Sequence, residues 1–459
     1  ASVAVDIKKE HVRESLQTFQ SLEHRMEPVA IIKGVEFIND SKATNADACE
    51  KATWMDISID TAIPDKTPQK PDIRKTMIPL GPVVVYGASN FPFAYSTAGG
   101  DTASAFAAGC PVVVKAHPAH PQTSEMVAAA IFKAAKICNM PNGIFAHVHA
   151  ANFEVGNALV MHQYTKAVGF TGSYIGGKQL YDWANQRKEP IPVFSEMGSI
   201  NPVFLLPEKL AASAVDIANM YAASITLSVG QFCTNPGLII GVEGDDLQTF
   251  IRALGTAIHH INPAPMLHDG IVKAYNQKRE LALAQKDVHV VASSQSTVKE
   301  NEGLPVIATT TAAAFLENNV LHQEVFGPYS LVIRCGNDAE MTAVATRLEG
   351  QLTSTVLATK NDILQHEILI ETIKNICGRF ILNSVPTGVE VCVSMHHGGP
   401  FPASTDARFT AVGADAIKRF ARPICYQNWA NELLPDELKN ENPLKIWRRV
   451  NNELSNGII

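Results

Sequence analysis

The sequence has no pair of cysteines at metal-ligand or redox spacing. Its eight cysteines (Cys49, Cys110, Cys138, Cys233, Cys335, Cys377, Cys392 and Cys425) are scattered through 459 residues without a single CxxC. That excludes a zinc ribbon or a thioredoxin-type centre, and a disulfide framework is a poor account of so large a chain. No metal site is expected. Reduced thiols in a reducing compartment are, with the cytoplasm as default. An excess of one charge is also missing: 38 Lys and Arg against 45 Asp and Glu give a net charge of −7. Nothing there favours nucleic acid or an anionic membrane as a partner. The apolar runs are cut by Gly, Pro or charge, so no membrane span is expected. The opening Ala1-Ser2-Val3-Ala4-Val5-Asp6 lacks the basic-then-apolar layout of a secretory leader. Internal repeats, low-complexity tracts and the phosphate loop Gly-x-x-x-x-Gly-Lys-[Ser/Thr] are absent as well.

What is present is a βα rhythm. Short β-branched runs at 82–86, 111–115, 144–148 and 167–170 alternate with helical stretches at 97–108, 123–135 and 153–161, and Gly172 opens a further helix. Such alternation predicts an α/β fold, a parallel sheet covered by helices on both faces. The rhythm continues less regularly to about residue 394, with a long helix over 210–228 and a strand at 238–241. Residues 395–401, rich in His, Gly and Pro, are expected to be a loop, 422–427 a late strand and the charged tail a surface segment. The first 55 residues stand apart, with an amphipathic helix over 8–19 and a short strand at 35–38. Residues 61–76, with Pro64, Pro68 and Pro71, read as an extended linker or sheet-edge arm.

Ligands of open parallel sheets bind beyond the carboxyl ends of the strands, so the residues just after each strand are the candidates. They are Gly87-Ala88-Ser89-Asn90-Phe91-Pro92, Lys115, Thr171-Gly172-Ser173 and Ser195-Glu196-Met197-Gly198. Gly172 and Ser173 can present backbone N–H groups to a pyrophosphate at a helix start, or simply form a strand-to-helix turn with a serine N-cap. Gly230-Gln231-Phe232-Cys233-Thr234-Asn235-Pro236-Gly237 joins the long helix to a strand. A thiol in that loop can be exposed and activated as a nucleophile, although most cysteines are small buried hydrophobes. Glu196 could be a general base or an ordinary loop carboxylate. Lys115 could be a solvated strand end. Glu324, in Gln323-Glu324-Val325-Phe326-Gly327-Pro328, could be a turn residue.

In combination these motifs, in this order, resemble the aldehyde dehydrogenase superfamily from about residue 70 to the end. Pro71-Asp72-Ile73-Arg74, Gly99-Gly100-Asp101-Thr102-Ala103-Ser104, Pro386-Thr387-Gly388-Val389-Glu390-Val391, His397-Gly398-Gly399-Pro400-Phe401-Pro402-Ala403-Ser404-Thr405 and Leu433-Leu434-Pro435-Asp436 narrow it. They look like the branch of 2,5-dioxopentanoate (α-ketoglutarate semialdehyde) dehydrogenases and a related fatty-aldehyde dehydrogenase.

The resemblance implies a Rossmann-type coenzyme domain over 81–195, an α/β catalytic domain over 196–405 and a small oligomerisation arm over 56–80. A C-terminal segment over 406–459 would carry an oligomerisation strand at 424–427. It further implies Cys233 as nucleophile, Asn90 and the Cys233 N–H as oxyanion donors, and Glu196 as the base for thioester hydrolysis. NAD or NADP would be held by Lys115, His117, Gly172, Ser173, Glu324 and Phe326. An acidic residue often found three positions after the lysine is Pro118 here, which leaves NAD against NADP open. Arg74, Arg379 or Arg408 could bind a substrate carboxylate, whereas a long-chain aldehyde would want an apolar tunnel. A small-molecule aldehyde and a homo-oligomer, dimer or tetramer, are the implied partners.

Residues 1–55 differ. Leu22-Glu23-His24-Arg25-Met26-Glu27 and Phe37-Ile38-Asn39-Asp40-Ser41-Lys42-Ala43-Thr44-Asn45 resemble a fragment of the Mur ligases that add D-glutamate. Without a phosphate loop, ligase activity is not expected. The chain reads as a fusion, or as a dehydrogenase with a truncated or replaced N-terminus, which predicts exposed apolar surface and low thermal stability or aggregation; the alternatives are a long-chain fatty-aldehyde dehydrogenase or an inactive relic that keeps the fold.

Overall fold

A computed structural model describes the backbone of residues 25–32 and 35–40, and residues 57–150 and 152–459. The expected helix over 8–19 lies outside the described residues. The short strand expected at 35–38 is found as Val35–Asp40, paired antiparallel with Arg25–Ile32.

The first βα run forms a five-stranded, wholly parallel sheet. Its order is Phe145–Val148, Val112–Lys115, Val83–Tyr86, Ala167–Thr171, Val193–Glu196. Val83, Val85, Val112, Val114 and Ala167 pack on one face with Ala105 and Phe420, and Val84, Val168 and Val193 on the other with Val160 and Leu180. Both faces being covered explains why these strands read as continuous apolar runs instead of alternating ones. Helices Gly100–Ala107, Pro121–Ile137, Phe153–Met161 and Tyr174–Asn185 connect them. Under the first of these the Arg419 Nη1 meets Asp101 Oδ1 at 2.7 Å, both side chains almost wholly buried. Pro121–Ile137 packs poorly by comparison: Met126, Phe132 and Ile137 on it are exposed.

Residues 203–382 build a second, seven-stranded sheet in the order His289–Ser293, Val306–Thr311, Tyr329–Cys335, Leu238–Val242, Val203–Leu205, Gln351–Leu357, Cys377–Leu382. All neighbours are parallel except the first pair. Its two faces carry the largest cores, with Phe204 and Phe315 on one and Phe250 and Tyr221 on the other, each wholly buried. Burying an aromatic or aliphatic side chain of this kind stabilises by about 1.5–3 kcal/mol.

Two expectations need correction. The proline-rich stretch is not a free linker throughout, because Ile73–Pro79 lies inside a third sheet, between Ala421–Gln427 and Ser58–Asp60. Pro64, Pro68 and Pro71 all precede that strand, so the ladder loses no donor to them. The charged tail is not merely a surface segment: Arg448–Val450 and Glu453–Ser455 complete the same sheet. Arg448 is buried there, its guanidinium spending its donors on the carbonyls of Glu437, Lys439 and Gly457. By length and composition alone one helix, Pro207–Gly230 with a mean hydropathy of 1.3, could cross a bilayer. Its apolarity comes from residues facing the core: Ala214, Ile217, Ala218, Tyr221, Ala222 and Ile225 are buried against helix Asp245–His259 and the second sheet.

Candidate active site

Parallel pairing puts the carboxyl ends of the first sheet on one rim. Tyr86 lies beside Lys115 and Phe170, and Thr171 beside Glu196. The chain beyond Tyr86 carries Asn90, whose side-chain amide donates to the Gln231 carbonyl at 3.1 Å. Glu196 ends its strand in an isolated bridge to Ser404, Met197 N–H donates to the Ala403 carbonyl at 2.8 Å, and Ser195 N–H donates to Thr405 Oγ1 at 2.9 Å. The loop 395–405 is thereby fastened along the last strand of the sheet.

The Cys233 loop is reached by a sharp turn. After helix Pro207–Thr226 the backbone passes through left-handed Ser228, Val229 and Gly230, with φ of 49°, 59° and 65°. At Gly230 a Cβ would stand 2.3 Å from the Gly327 carbonyl carbon, so only glycine lets these two loops touch. The Asn201 side-chain amide donates to the carbonyls of Cys233 and Asn235, each at 2.9 Å, and that of Asn235 donates to the Gly327 carbonyl at 3.1 Å. The loop is thus clamped from both sides.

The resulting cluster joins three side chains. His397 Nε2 lies 3.4 Å from Cys233 Sγ and 3.1 Å from Glu196 Oε1. Glu196 is buried, and its Oε2 has no partner among the described residues. Burial pushes the Cys233 thiol well above its ordinary range, and the Glu196 carboxylate pushes it the same way. Burial pushes Glu196 up too, but the charge and hydrogen bond of His397, the thiol hydrogen bond and the charge of Arg419 outweigh it and hold the carboxyl below its usual value. The resting pair is therefore a thiol beside a carboxylate able to take its proton, with the His397 ring within reach of both. The half-buried sulfur opens on a pocket of about 470 Å³ lined mainly by Phe91, Tyr95, Phe232, Val391 and Met395.

A groove of about 1600 Å³ runs along the rim of the first sheet and is lined by Lys115, His117, Pro118, Gly172, Ser173 and Trp183 among others. Burial lowers Lys115, and burial with the neighbouring His120 and His268 lowers His117 to about 4, so His117 is uncharged at neutral pH. Ser173 caps helix Tyr174–Asn185, its Oγ accepting from Gly176 N–H at 3.3 Å. Ser173 and Ile175 also line a second cleft of about 1050 Å³, with Gly198, Lys278 and Glu324. The two clefts therefore share the helix start as a corner, and their continuity fits an extended dinucleotide with its pyrophosphate at that corner.

Glu324 stands over Gly198, where a Cβ would come within 2.9 Å of its Oε2. Burial raises the Glu324 carboxyl to about 7, against the opposing charge of Lys278.

Of the residues singled out from the sequence, Cys233 and Glu196 meet in one cluster and Asn90 is tied to the same loop. Lys115, His117, Gly172 and Ser173 line the groove and Glu324 the adjoining cleft. Phe326 lines neither: it sits with Ile200, Val320 and Leu321 and packs against the catalytic core.

Sequence reasoning missed His397. Its signal is its place in the His-Gly-Gly-Pro motif, in a loop that returns to the strand ending at Glu196. Among the described residues a second group also brings three metal-capable atoms within 4.8 Å, Glu125, His147 and His149. There both imidazoles hydrogen-bond the one exposed carboxylate.

Comparison with known proteins agrees with this geometry. The model of the aldehyde dehydrogenase family matches residues 15–405. Alpha-ketoglutaric semialdehyde dehydrogenase 2 of Azospirillum brasilense is 46% identical over 396 residues, 86% of this chain and 75% of that protein. The alpha-ketoglutaric semialdehyde dehydrogenase of Acinetobacter baylyi is 43% identical over 412 residues, 89% and 78% of the two chains. A UDP-N-acetylmuramoylalanine–D-glutamate ligase of Porphyromonas gingivalis is 52% identical over only 54 residues, 12% of this chain and 11% of the ligase.

In fold the chain is similar to the glyceraldehyde-3-phosphate dehydrogenase GapN of Methanocaldococcus jannaschii, solved with NADP (TM-score 0.65, 19% identity, 80% and 76% covered). It is likewise similar to a 1-pyrroline-5-carboxylate dehydrogenase from Thermus with bound NAD (TM-score 0.64, 20% identity, 78% and 68% covered). The chain described here belongs to the aldehyde dehydrogenase family.

Proposed function

We propose that this protein oxidises 2,5-dioxopentanoate to 2-oxoglutarate with NAD or NADP. The observation that carries this reading is the Cys233 sulfur within reach of two bases on the wall of the 470 Å³ pocket. Relatives more than 40% identical over most of the chain bear the name of that activity and supply the substrate.

In this reading the Cys233 proton passes to the His397–Glu196 pair and the thiolate adds to the aldehyde carbon. The carbonyl oxygen gains the electron pair, held by the Cys233 N–H and a donor from Asn90, and each such donor contributes about 2.7–4 kcal/mol. The bound nicotinamide supplies the acceptor for the hydride that leaves that carbon. Glu196 then takes a proton from water, which attacks the resulting thioester and frees the acid and the thiol. Lys115 and Ser173 bind and orient the dinucleotide in the groove and Glu324 in the cleft beyond. Among the described residues no carboxylate lines the groove around Lys115 and Pro118, which leaves room for a 2′-phosphate there.

We also place the protein in the cytoplasm as a dimer or tetramer. Among the described residues the strand Ala421–Gln427 ends its sheet with one edge unpaired, a natural place for a partner strand.

The test is the ultraviolet absorbance of reduced nicotinamide on mixing the protein, 2,5-dioxopentanoate and either coenzyme. Turnover should appear and vanish in Cys233→Ala. Full activity in that variant would remove the mechanism.

A further inference from the structure

The 470 Å³ pocket in front of Cys233 contains one cation. Phe91, Tyr95, Phe232, Val389, Val391, Met395 and Val412 make it largely apolar, yet Arg379 lines it too. The arginine lies on edge strand Cys377–Leu382, where Arg379 pairs with Thr353. The fold holds that edge close to the His397 loop: a Cβ on Gly378 would fall 2.0 Å from the Gly398 carbonyl oxygen.

A guanidinium carries five N–H donors and keeps its charge at every relevant pH. Here Nη2 donates to the Pro386 carbonyl, and Nη1 faces only the Met395 sulfur, a weak acceptor, at 3.9 Å. Nε is buried with no partner. Burial works against the cation, and the groups that favour it are the Cys233 and Tyr95 side chains, not a carboxylate. Among the described residues Arg379 forms no ion pair.

The other two arginines named from the sequence are already neutralised elsewhere. Arg74 is paired with Asp72 in the third sheet at 2.9 Å, and Arg408 with Asp406 at the surface at 2.5 Å. A half-buried cation without a counter-charge gives up part of its hydration with nothing in return. Its cost is offset if the missing anion arrives with the ligand, and charge-assisted hydrogen bonds between guanidinium and carboxylate are the strong kind.

We propose that Arg379 binds the carboxylate of the substrate and makes this pocket selective for short aldehydes that carry an acid at the far end. The proposal rests on the aldehyde oxidation set out above and names what determines its substrate. The carboxylate docks on Nη1, displacing the Met395 contact, while the aldehyde carbon is presented to Cys233. The same cation repels nothing but solvates poorly beside a long alkyl chain, so fatty aldehydes lose the advantage the apolar walls would give them.

Two measurements test it. The first compares 5-oxopentanoate with pentanal, which match in length and differ in charge. Wild type should favour the acid aldehyde by about a hundredfold in kcat/KM, the loss expected when a buried charge pair loses one partner. Arg379→Met, which keeps the volume of the stem, should erase that preference through KM, lowering kcat/KM for the acid aldehyde far more than for pentanal, and Arg379→Lys should retain part of it. Equal loss on both substrates, or no preference in wild type, overturns the proposal.

The second measurement needs no turnover and no coenzyme. Glutarate should slow alkylation of Cys233 by iodoacetamide in wild type and not in Arg379→Met. Protection without oxidation would sink the proposed function and keep the anion site. Oxidation without protection would do the reverse.

Discussion

The imidazole of His397 stands 3.4 Å from the sulfur of Cys233, although 164 residues separate them in the chain. Its backbone is pinned from below, its N–H donating to Thr410 Oγ1 at 2.9 Å and its carbonyl accepting from Ala411 at 2.7 Å. The same nitrogen lies 3.1 Å from Glu196. When it carries a proton it donates to the carboxylate; when it does not, it accepts from the thiol. The geometry makes His397 a link between nucleophile and base.

Replacing His397 by Asn should therefore slow the first chemical step more than binding. The thiol is already raised by burial and by Glu196, so losing one acceptor leaves even less thiolate at neutral pH. We expect kcat to fall by about 10²–10⁴, the usual worth of a positioned acid–base group. The midpoint of the pH profile for iodoacetamide alkylation should move to higher pH. An unchanged alkylation profile would show that the imidazole is only a wall of the pocket.

Glu324 gives a pH dependence of stability with a defined sign. Its carboxyl is raised by burial to about 7, so the native protein keeps this proton over a range in which the unfolded chain has lost it. Stability from this group is full below the ordinary carboxylate range and is lost as pH rises from there through about 7. Glu324→Gln should flatten that part of the curve, seen in urea midpoints measured across the interval. If wild type and variant lose stability in parallel between those limits, the carboxyl is not held protonated.

The contact of Gly230 with Gly327 sets the shape of the nucleophile loop. Gly230→Ala meets both a left-handed φ of 65° and the Gly327 backbone at 2.3 Å. The backbone conformation alone costs about 1–3 kcal/mol, and the clash forces one loop to move. We expect a lower urea midpoint together with loss of activity, because Cys233 is only three residues on. A variant with the wild-type midpoint and rate would mean the loops can separate freely.

Local pattern was legible in the chain because it depends on near neighbours. The runs at 82–86 and 111–115 are found as Val83–Tyr86 and Val112–Lys115, and the helix over 153–161 as Phe153–Met161. Apolar periodicity needs only a few consecutive residues to declare itself. Where the expectation failed, as in the tail containing Arg448, a charged residue was buried by carbonyls from chain segments that composition does not announce.

By itself the sequence determined the order of strands and helices, the rim positions of Lys115 and Glu196, and the loop that carries Cys233, since each follows from short-range rules of backbone and burial. Only the tertiary structure decided that His397, 201 residues from Glu196, bridges base and sulfur. It also decided that Arg379, rather than Arg74 or Arg408, faces the pocket, and that Phe326 stays partly exposed on a small pocket it shares with Glu324. The physical reason is the same in each case. Which side chain meets which across a site depends on how two sheets and one returning loop pack, and that information is spread over contacts hundreds of residues apart.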